Sequence, residues 1–223
     1  MSDSSGHRER LKQRFLQAQG AGLADYELLE LALTFAIPRR DVKPLAKALL
    51  SRFGTLHGVL TAPAADLSTF PGLGPTSGTL LQLIGSLARR IGKQKLAARP
   101  VLANRLELID YLYTLFAGKT REEVHVLYLN NQLELITDET LFTGTLTQSG
   151  ASPRDILQRA LAHNAAGLVI AHNHPSGQPK PSRTDDDFTH TLDVACVSLG
   201  IQLHDHFIIG TDSHYSYKGA RKL

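Results

Sequence analysis

Gly167-Leu168-Val169-Ile170-Ala171-His172-Asn173-His174-Pro175, with seven residues between the second histidine and Ser182-Arg183-Thr184-Asp185, is the passage on which the reading of this chain turns. Four apolar residues in succession, Leu168 to Ala171, in a stretch bounded by Gly167 and Pro175, read as a short strand buried on both faces. Side chains alternate along an extended chain, so His172 and His174 leave the strand end on the same side. Pro175, Pro179 and Pro181 stiffen the loop that follows, which limits the entropy lost in holding its ends. Ser182 and Asp185 have the spacing of a helix N-cap and its N3 carboxylate. Two imidazoles and one carboxylate then converge, a donor set that suits zinc and leaves a fourth tetrahedral position open. Each piece alone has a plainer reading, since most His-x-His pairs bind nothing and Ser-x-x-Asp is an ordinary capping box. Their order, with a buried strand ending at the histidines and a helix starting at the serine, is far more specific.

Outward from this centre the second half alternates strands and helices. Val124 to Leu129 reads as a strand, Asn130-Asn131 as a turn, and Leu133 to Phe142 as an antiparallel return. Ser152-Pro153 opens a helix reaching about Asn164, with Ser as N-cap and Pro in the first turn. A helix of about Arg183 to Leu199 follows the metal loop, and strands at Gln202–Ile209 and His214–Tyr217 close the domain. A further helix, about Leu102 to Phe116, precedes the first strand.

The first hundred residues have a different texture. Tyr26 to Leu33, Val42 to Phe53 and Leu80 to Ile91 carry helical apolar density, with Gly54 at a C-cap position and few strand signals anywhere. The expected architecture is α+β: an all-α domain over 1–92, a short basic linker over 93–101, and an α/β domain with a mixed sheet flanked by helices over 102–223.

Charge divides along the same line. The net charge is +3, but residues 1–100 hold 14 Lys/Arg against 7 Asp/Glu, and residues 101–223 hold 10 against 14. A basic first part suits an anionic partner, for which DNA is the candidate. No apolar run approaches the roughly 20 residues of a membrane span, and Met1 to Arg14 is polar, so neither a membrane partner nor a secretory signal is expected. Cys196 is the only cysteine, which excludes an internal disulfide framework and fits a cytoplasmic setting. It also excludes a zinc deaminase, whose Pro-Cys-x-x-Cys needs two.

His172-x-His174, seven residues, Ser182-x-x-Asp185 resembles the JAMM motif of the MPN-domain metallopeptidases. Phe142-Thr143-Gly144-Thr145-Leu146, Ser152-Pro153-Arg154, His172-Asn173-His174-Pro175-Ser176-Gly177 and Asp205-His206 are similar to the signature of the RadC family of bacterial proteins. Gly6-His7-Arg8-Glu9-Arg10-Leu11 and Glu27-Leu28-Leu29-Glu30 extend that likeness to the N-terminal half. Asn173 stands where many JAMM enzymes have Ser or Thr, a feature RadC-like sequences share. The resemblance implies an MPN-type domain, related in sheet architecture to cytidine deaminases, acting as a zinc-dependent hydrolase on a protein or peptide substrate. Zn2+ would be held by His172, His174 and Asp185. It implies a glutamate general base, placed at Glu123 with Glu122 as the fallback, and Ser182 as donor to the oxyanion. Family members commonly carry a DNA-repair label, so the alternative is a DNA-associated factor whose MPN domain is a non-catalytic scaffold.

Two motifs lie outside this set. Pro71-Gly72-Leu73-Gly74 resembles the hairpin of helix-hairpin-helix modules, with Gly72 and Gly74 as candidate DNA contacts through backbone N–H groups. His204-Asp205-His206 is a second His-x-His, which reads as a satisfied, partly buried pair or as a partner to a ligand imidazole in preference to a competing metal site.

Overall fold

A computed structural model describes residues 3–116, 118–143 and 152–223, with the side chains of residues 3–5 set aside. Gly144-Thr145-Leu146 of the family signature therefore lies outside the described residues. The chain divides into two compact units, Met1–Ala88 and Arg89–Leu223.

The first unit is helical, as its apolar spacing requires. It comprises α1 (Asp3–Ala18), α2 (Asp25–Ala36), α3 (Lys43–Phe53), α4 (Leu56–Thr61), α5 (Ala64–Ser68) and the start of α6 (Pro75–Ala97). Leu29 and Leu33 of α2, Leu45 and Leu49 of α3, Val59 of α4 and Leu81 of α6 meet in one buried cluster. Gly85 lets α6 approach the backbone of α4, because a Cβ there would lie 2.2 Å from the Leu60 carbonyl oxygen. Gly85→Ala gains about 1 kcal/mol of helix propensity but overpacks the contact at a cost of about 1–3 kcal/mol. The clash is with rigid backbone, so the variant should melt lower than wild type in thermal unfolding followed by circular dichroism.

Residues 93–97, expected as the start of a linker, are instead the last turns of α6. Leu96 is buried in the core of the second unit and Lys93 forms an ion pair with Asp138, so packing keeps this basic stretch helical. A 3-10 turn at Val101–Ala103 leads into α7 (Arg105–Phe116).

The second unit is built on a five-stranded sheet of β1 (Glu123–Leu129), β2 (Leu135–Thr143), β3 (Gly167–Asn173), β4 (Gln202–Ile209) and β5 (His214–Ser216), in the order β2-β1-β3-β4-β5. β1 runs antiparallel to both neighbours, β3 and β4 are parallel, and β4 and β5 are antiparallel. α8 (Pro153–Ala162) precedes β3, and α9 (Arg183–Ser198) is the crossover that a parallel β3–β4 pair needs. β2 begins at Leu135 rather than Leu133, because Leu133 adopts φ +64° and Asn130 Oδ1 accepts from the backbone N–H of Gln132 and Glu134, each at 2.9 Å. The turn absorbs two residues of the expected strand.

Alternation sorts the sheet into two faces. Val124, Val126 and Tyr128 of β1 and Leu168 and Ile170 of β3 pack with Ile156 and Ala160 of α8 and Leu192 and Cys196 of α9. Leu127, Leu129, Val169, Ala171, Phe207 and Ile209 pack with Leu108, Leu112 and Phe116 of α7. The central strands are covered on both sides, which is why β3 reads as an unbroken apolar run. Burial pushes the Cys196 thiol up to about 12, so it is an inert core group.

The α7 face also holds a buried polar cluster. Asp138 accepts from Tyr111 Oη at 2.5 Å and from His125 Nε2 at 2.7 Å, and pairs with Lys93, while His125 Nδ1 meets Thr140 Oγ1 at 3.0 Å. Burial would raise the Asp138 carboxyl, but hydrogen bonds from His125, Lys93 and Tyr111 outweigh it and hold it well below the usual carboxylate range. Among the described residues, no helix is long and apolar enough to cross a membrane.

Candidate metal centre

His172 is the last residue but one of β3 and is fully buried, on the same face as Leu168 and Ile170. His174 follows one residue past the strand, held by its backbone N–H to Ile209 O at 3.0 Å. The loop beyond them docks on the β4–β5 turn. Gly177, at φ +80°, leaves no room for a Cβ, which would fall 2.5 Å from Thr211 Oγ1, and its carbonyl accepts from Thr211 N at 3.1 Å. Asp185 is the N3 residue of α9, and the capping box expected from its spacing with Ser182 is formed. Asp185 Oδ2 accepts from Ser182 N and Ser182 Oγ, both at 2.7 Å, and Asp185 N donates to Ser182 Oγ at 3.2 Å.

These elements bring three donor groups to one point. His172 Nε2 lies 3.0 Å from His174 Nε2 and 3.4 Å from Asp185 Oδ1, and His174 Nε2 lies 3.5 Å from Asp185 Oδ2. Zinc bonds of about 2.0–2.2 Å at tetrahedral angles would separate ligand atoms by about 3.3–3.6 Å. Two of the observed spacings fall in that range and the third, between the two imidazoles, is 0.3 Å short of it, so the residues fit a divalent ion with a small opening of the two rings. Among the described residues, this His172, His174 and Asp185 group is the one cluster able to hold a metal.

The electrostatics agree with the geometry. A hydrogen bond with Asp185 raises His174, helped by Gln178 O, which accepts from His174 Nδ1 at 2.9 Å. Burial would raise the Asp185 carboxyl, but His174, His172 and Ser182 outweigh it and hold it well below the ordinary range. Burial pushes His172 well down, and the neighbouring His206 adds to this. Burial thus favours the neutral imidazole at His172, Asp185 favours the protonated ring at His174, and Asp185 itself supplies a charge.

Asn173 points to the opposite face and clamps the start of β1. Its Oδ1 accepts from Glu123 N at 2.8 Å and its Nδ2 donates to Arg121 O at 3.0 Å. The residue between the two histidines thus has a structural task.

Glu123, the glutamate assigned as general base, does not face this group. Val124 is the residue registered opposite His172, so Glu123 falls on the other face, where its carboxylate pairs with Lys119 Nζ at 2.9 Å. Continuing the β1–β3 register by two residues brings Glu122 opposite His174, and the Glu122 charge contributes to raising His174. Local sequence carries no signal for this choice, because it depends on which residue of β1 is registered opposite His172. Ser182, in turn, directs its single proton at Asp185 Oδ2.

His204, Asp205 and His206 have three separate tasks. A register shift in the β3–β4 pairing jumps from Leu203 to Asp205, leaving His204 as the extra residue. Asp205 accepts from His206 N, Lys218 N and Ser216 Oγ at 2.8, 3.1 and 2.6 Å, and so ties β4 to β5 and the chain just beyond it. His206 Nε2 lies 2.8 Å from His172 Nδ1, so of the two readings of this pair it takes the one that contacts an imidazole of the candidate site. Thr189, not singled out in the sequence, bonds His206 Nδ1 at 2.6 Å. Its position four residues after Asp185, on the same face of α9, is the signal that marks it.

In the first unit, Gly72 adopts φ +90° with Arg40 Nη1 donating to its carbonyl at 3.3 Å. The Gly74 N–H is engaged by Ser77 Oγ at 3.0 Å, so this donor is satisfied within the hairpin.

A mixed five-stranded sheet that ends a central strand in His-x-His and meets an Asp in the first turn of the next helix defines a JAB-type domain with a candidate metal centre. The family model described as RadC, RadC-like JAB domain, matches residues 102–222, more than half of the chain, and the chain belongs to that family.

Proposed function

We propose that the second unit is a zinc-dependent hydrolase of JAMM type that cleaves peptide or isopeptide bonds. The observation that carries this reading is the convergence of His172 Nε2, His174 Nε2 and the Asp185 carboxylate at 3.0–3.5 Å, on spacings suited to zinc. Zinc held there would polarise the scissile carbonyl and lower the pKa of water to about 7.

The chain's own residues supply the remainder. His172, His174 and Asp185 hold the ion, and the two histidines keep Nε2 toward it because each Nδ1 has a partner elsewhere, His206 and Gln178 respectively. Glu122 is the base: it accepts a proton from the attacking water and returns it to the leaving nitrogen as the C–N bond breaks. Ser182 can turn its hydroxyl toward the oxyanion, since its backbone N–H still holds Asp185 Oδ2.

The test pairs metal analysis with a cleavage screen. Wild type should retain about one zinc per chain, and His174→Ala, a change at a partly exposed ring, should fold yet lose it. The loss should exceed the roughly 10–100-fold typical of outer partners of a metal ligand. Zinc-loaded wild type should cut members of a peptide and isopeptide library that His174→Ala leaves intact. Full zinc occupancy with no cleavage across the library would overturn the hydrolase and leave a metal-bearing scaffold.

A further inference from the structure

His172 can bind a metal through Nε2 only if its single proton sits on Nδ1, and nothing about the strand on which it lies chooses between the two tautomers. The choice is made by a chain of buried groups on β4 and α9. Thr189 Oγ1 lies 2.5 Å from the Asp185 carbonyl oxygen, 2.6 Å from His206 Nδ1, and His206 Nε2 lies 2.8 Å from His172 Nδ1.

The proton order along this chain is forced from one end. A carbonyl oxygen only accepts, so the hydrogen in the 2.5 Å contact belongs to Thr189, which donates it to Asp185 O. With its one proton spent, Thr189 Oγ1 must accept from His206 Nδ1–H. His206 is fully buried between Phe188 and Tyr217, stacked on the Tyr217 ring at 5.0 Å and 8°, and such a ring is neutral. Its Nε2 is therefore bare and accepts from His172 Nδ1–H, leaving the His172 Nε2 lone pair facing His174 and Asp185. The opposite order would put two hydroxyl or carbonyl oxygens 2.5 Å apart with no hydrogen between them, which is strongly repulsive.

The register shift in β4 makes this possible. Leu203 packs on the α8–α9 face, and simple alternation would send Asp205 to that face and His206 to the other. The extra residue, His204, reverses the parity so that His206 meets Thr189. His204 itself is seated over Gly167, where a Cβ would lie 2.4 Å from its Nε2.

We propose that Thr189 and His206 are positioning residues that lock His172 in the Nδ1–H tautomer and so hold its Nε2 lone pair toward the metal centre. The proposal rests on the metal-site reading, but its decisive measurement does not need metal. Asp185 acts twice in this arrangement, as a ligand through its carboxylate and as the terminal acceptor through its carbonyl, which couples the ligands on β3 and α9.

The experiment is a long-range 15N–1H correlation of histidine ring nitrogens in the metal-free full-length chain. Wild type should show His172 in the Nδ1–H form. Thr189→Val, which keeps the shape and removes the hydroxyl, should populate the Nε2–H form and weaken zinc binding by roughly 10–100-fold. Thr189→Ser should restore both, which a role in packing alone would not predict. His206→Gln offers a second check, since its amide oxygen can still accept from His172 and should retain the Nδ1–H form. An Nε2–H signal for His172 in wild type, or an unchanged tautomer in a folded Thr189→Val chain, overturns the proposal. Absence of zinc binding with the Nδ1–H form intact would instead sink the metal reading and leave the proton order standing.

Discussion

Replacing Glu122 by Gln is expected to slow hydrolysis by roughly 10²–10⁴-fold, the range of a lost general base, with zinc content unchanged. Glu123→Gln should stay within about threefold of wild type, because its carboxylate lies on the α7 face beside Lys119. The contrast follows from strand alternation: Val124 is registered opposite His172, so residues two apart from Val124 share the face of the metal centre. The measurement is the initial rate on a substrate drawn from the library screen, for both variants after zinc loading. Equal losses in the two variants, or a larger loss in Glu123→Gln, would refute the assignment. A drop in zinc occupancy in Glu122→Gln would show that this carboxylate supports the ion rather than moves a proton.

The second large effect concerns stability. Asp138→Ala leaves the His125 ring and the Tyr111 hydroxyl buried without their acceptor. Removing one partner from a buried ionic cluster costs about 3–5 kcal/mol; Lys93, which is half exposed and free to turn to solvent, adds little. For a domain of this size that corresponds to a fall in Tm on the order of 10 °C at pH 7. The pH dependence has a definite sign. The folded Asp138 carboxyl is held below its unfolded value, so its contribution is complete above about pH 4 and is lost as pH falls toward the folded pKa. The gap in Tm between wild type and Asp138→Ala should therefore shrink between pH 5 and pH 2. A gap that stayed constant across that interval would mean that the carboxylate's charge has no part in holding α7 and β2 together.

Much of this protein is legible in its sequence because the relevant signals are local. The apolar run Gly167–Ala171 announces a doubly covered strand, and Ser182-x-x-Asp185 announces a helix start, and both are formed as read. The strand Gln202–Ile209 is likewise found at the residues its composition marks. His172, His174 and Asp185 converge because alternation along β3 and the N3 position of α9 follow from residue spacing within twenty residues of chain.

What the sequence left open involves pairing across distant segments. Glu122 and Glu123 are chemically identical neighbours, and only the register of β1 against β3, some fifty residues away, decides which one shares a face with His174. Residues 93–97 look like a linker by composition, yet they stay helical because Leu96 finds a core and Lys93 finds Asp138. His206 reads as one of two histidines in an apolar strand, and a one-residue register shift alone turns it toward Thr189. Side-chain chemistry and local period are carried by the chain itself. Which face a side chain presents depends on hydrogen bonds between strands, where a slip of one residue reverses every direction, so that decision belongs to the tertiary structure.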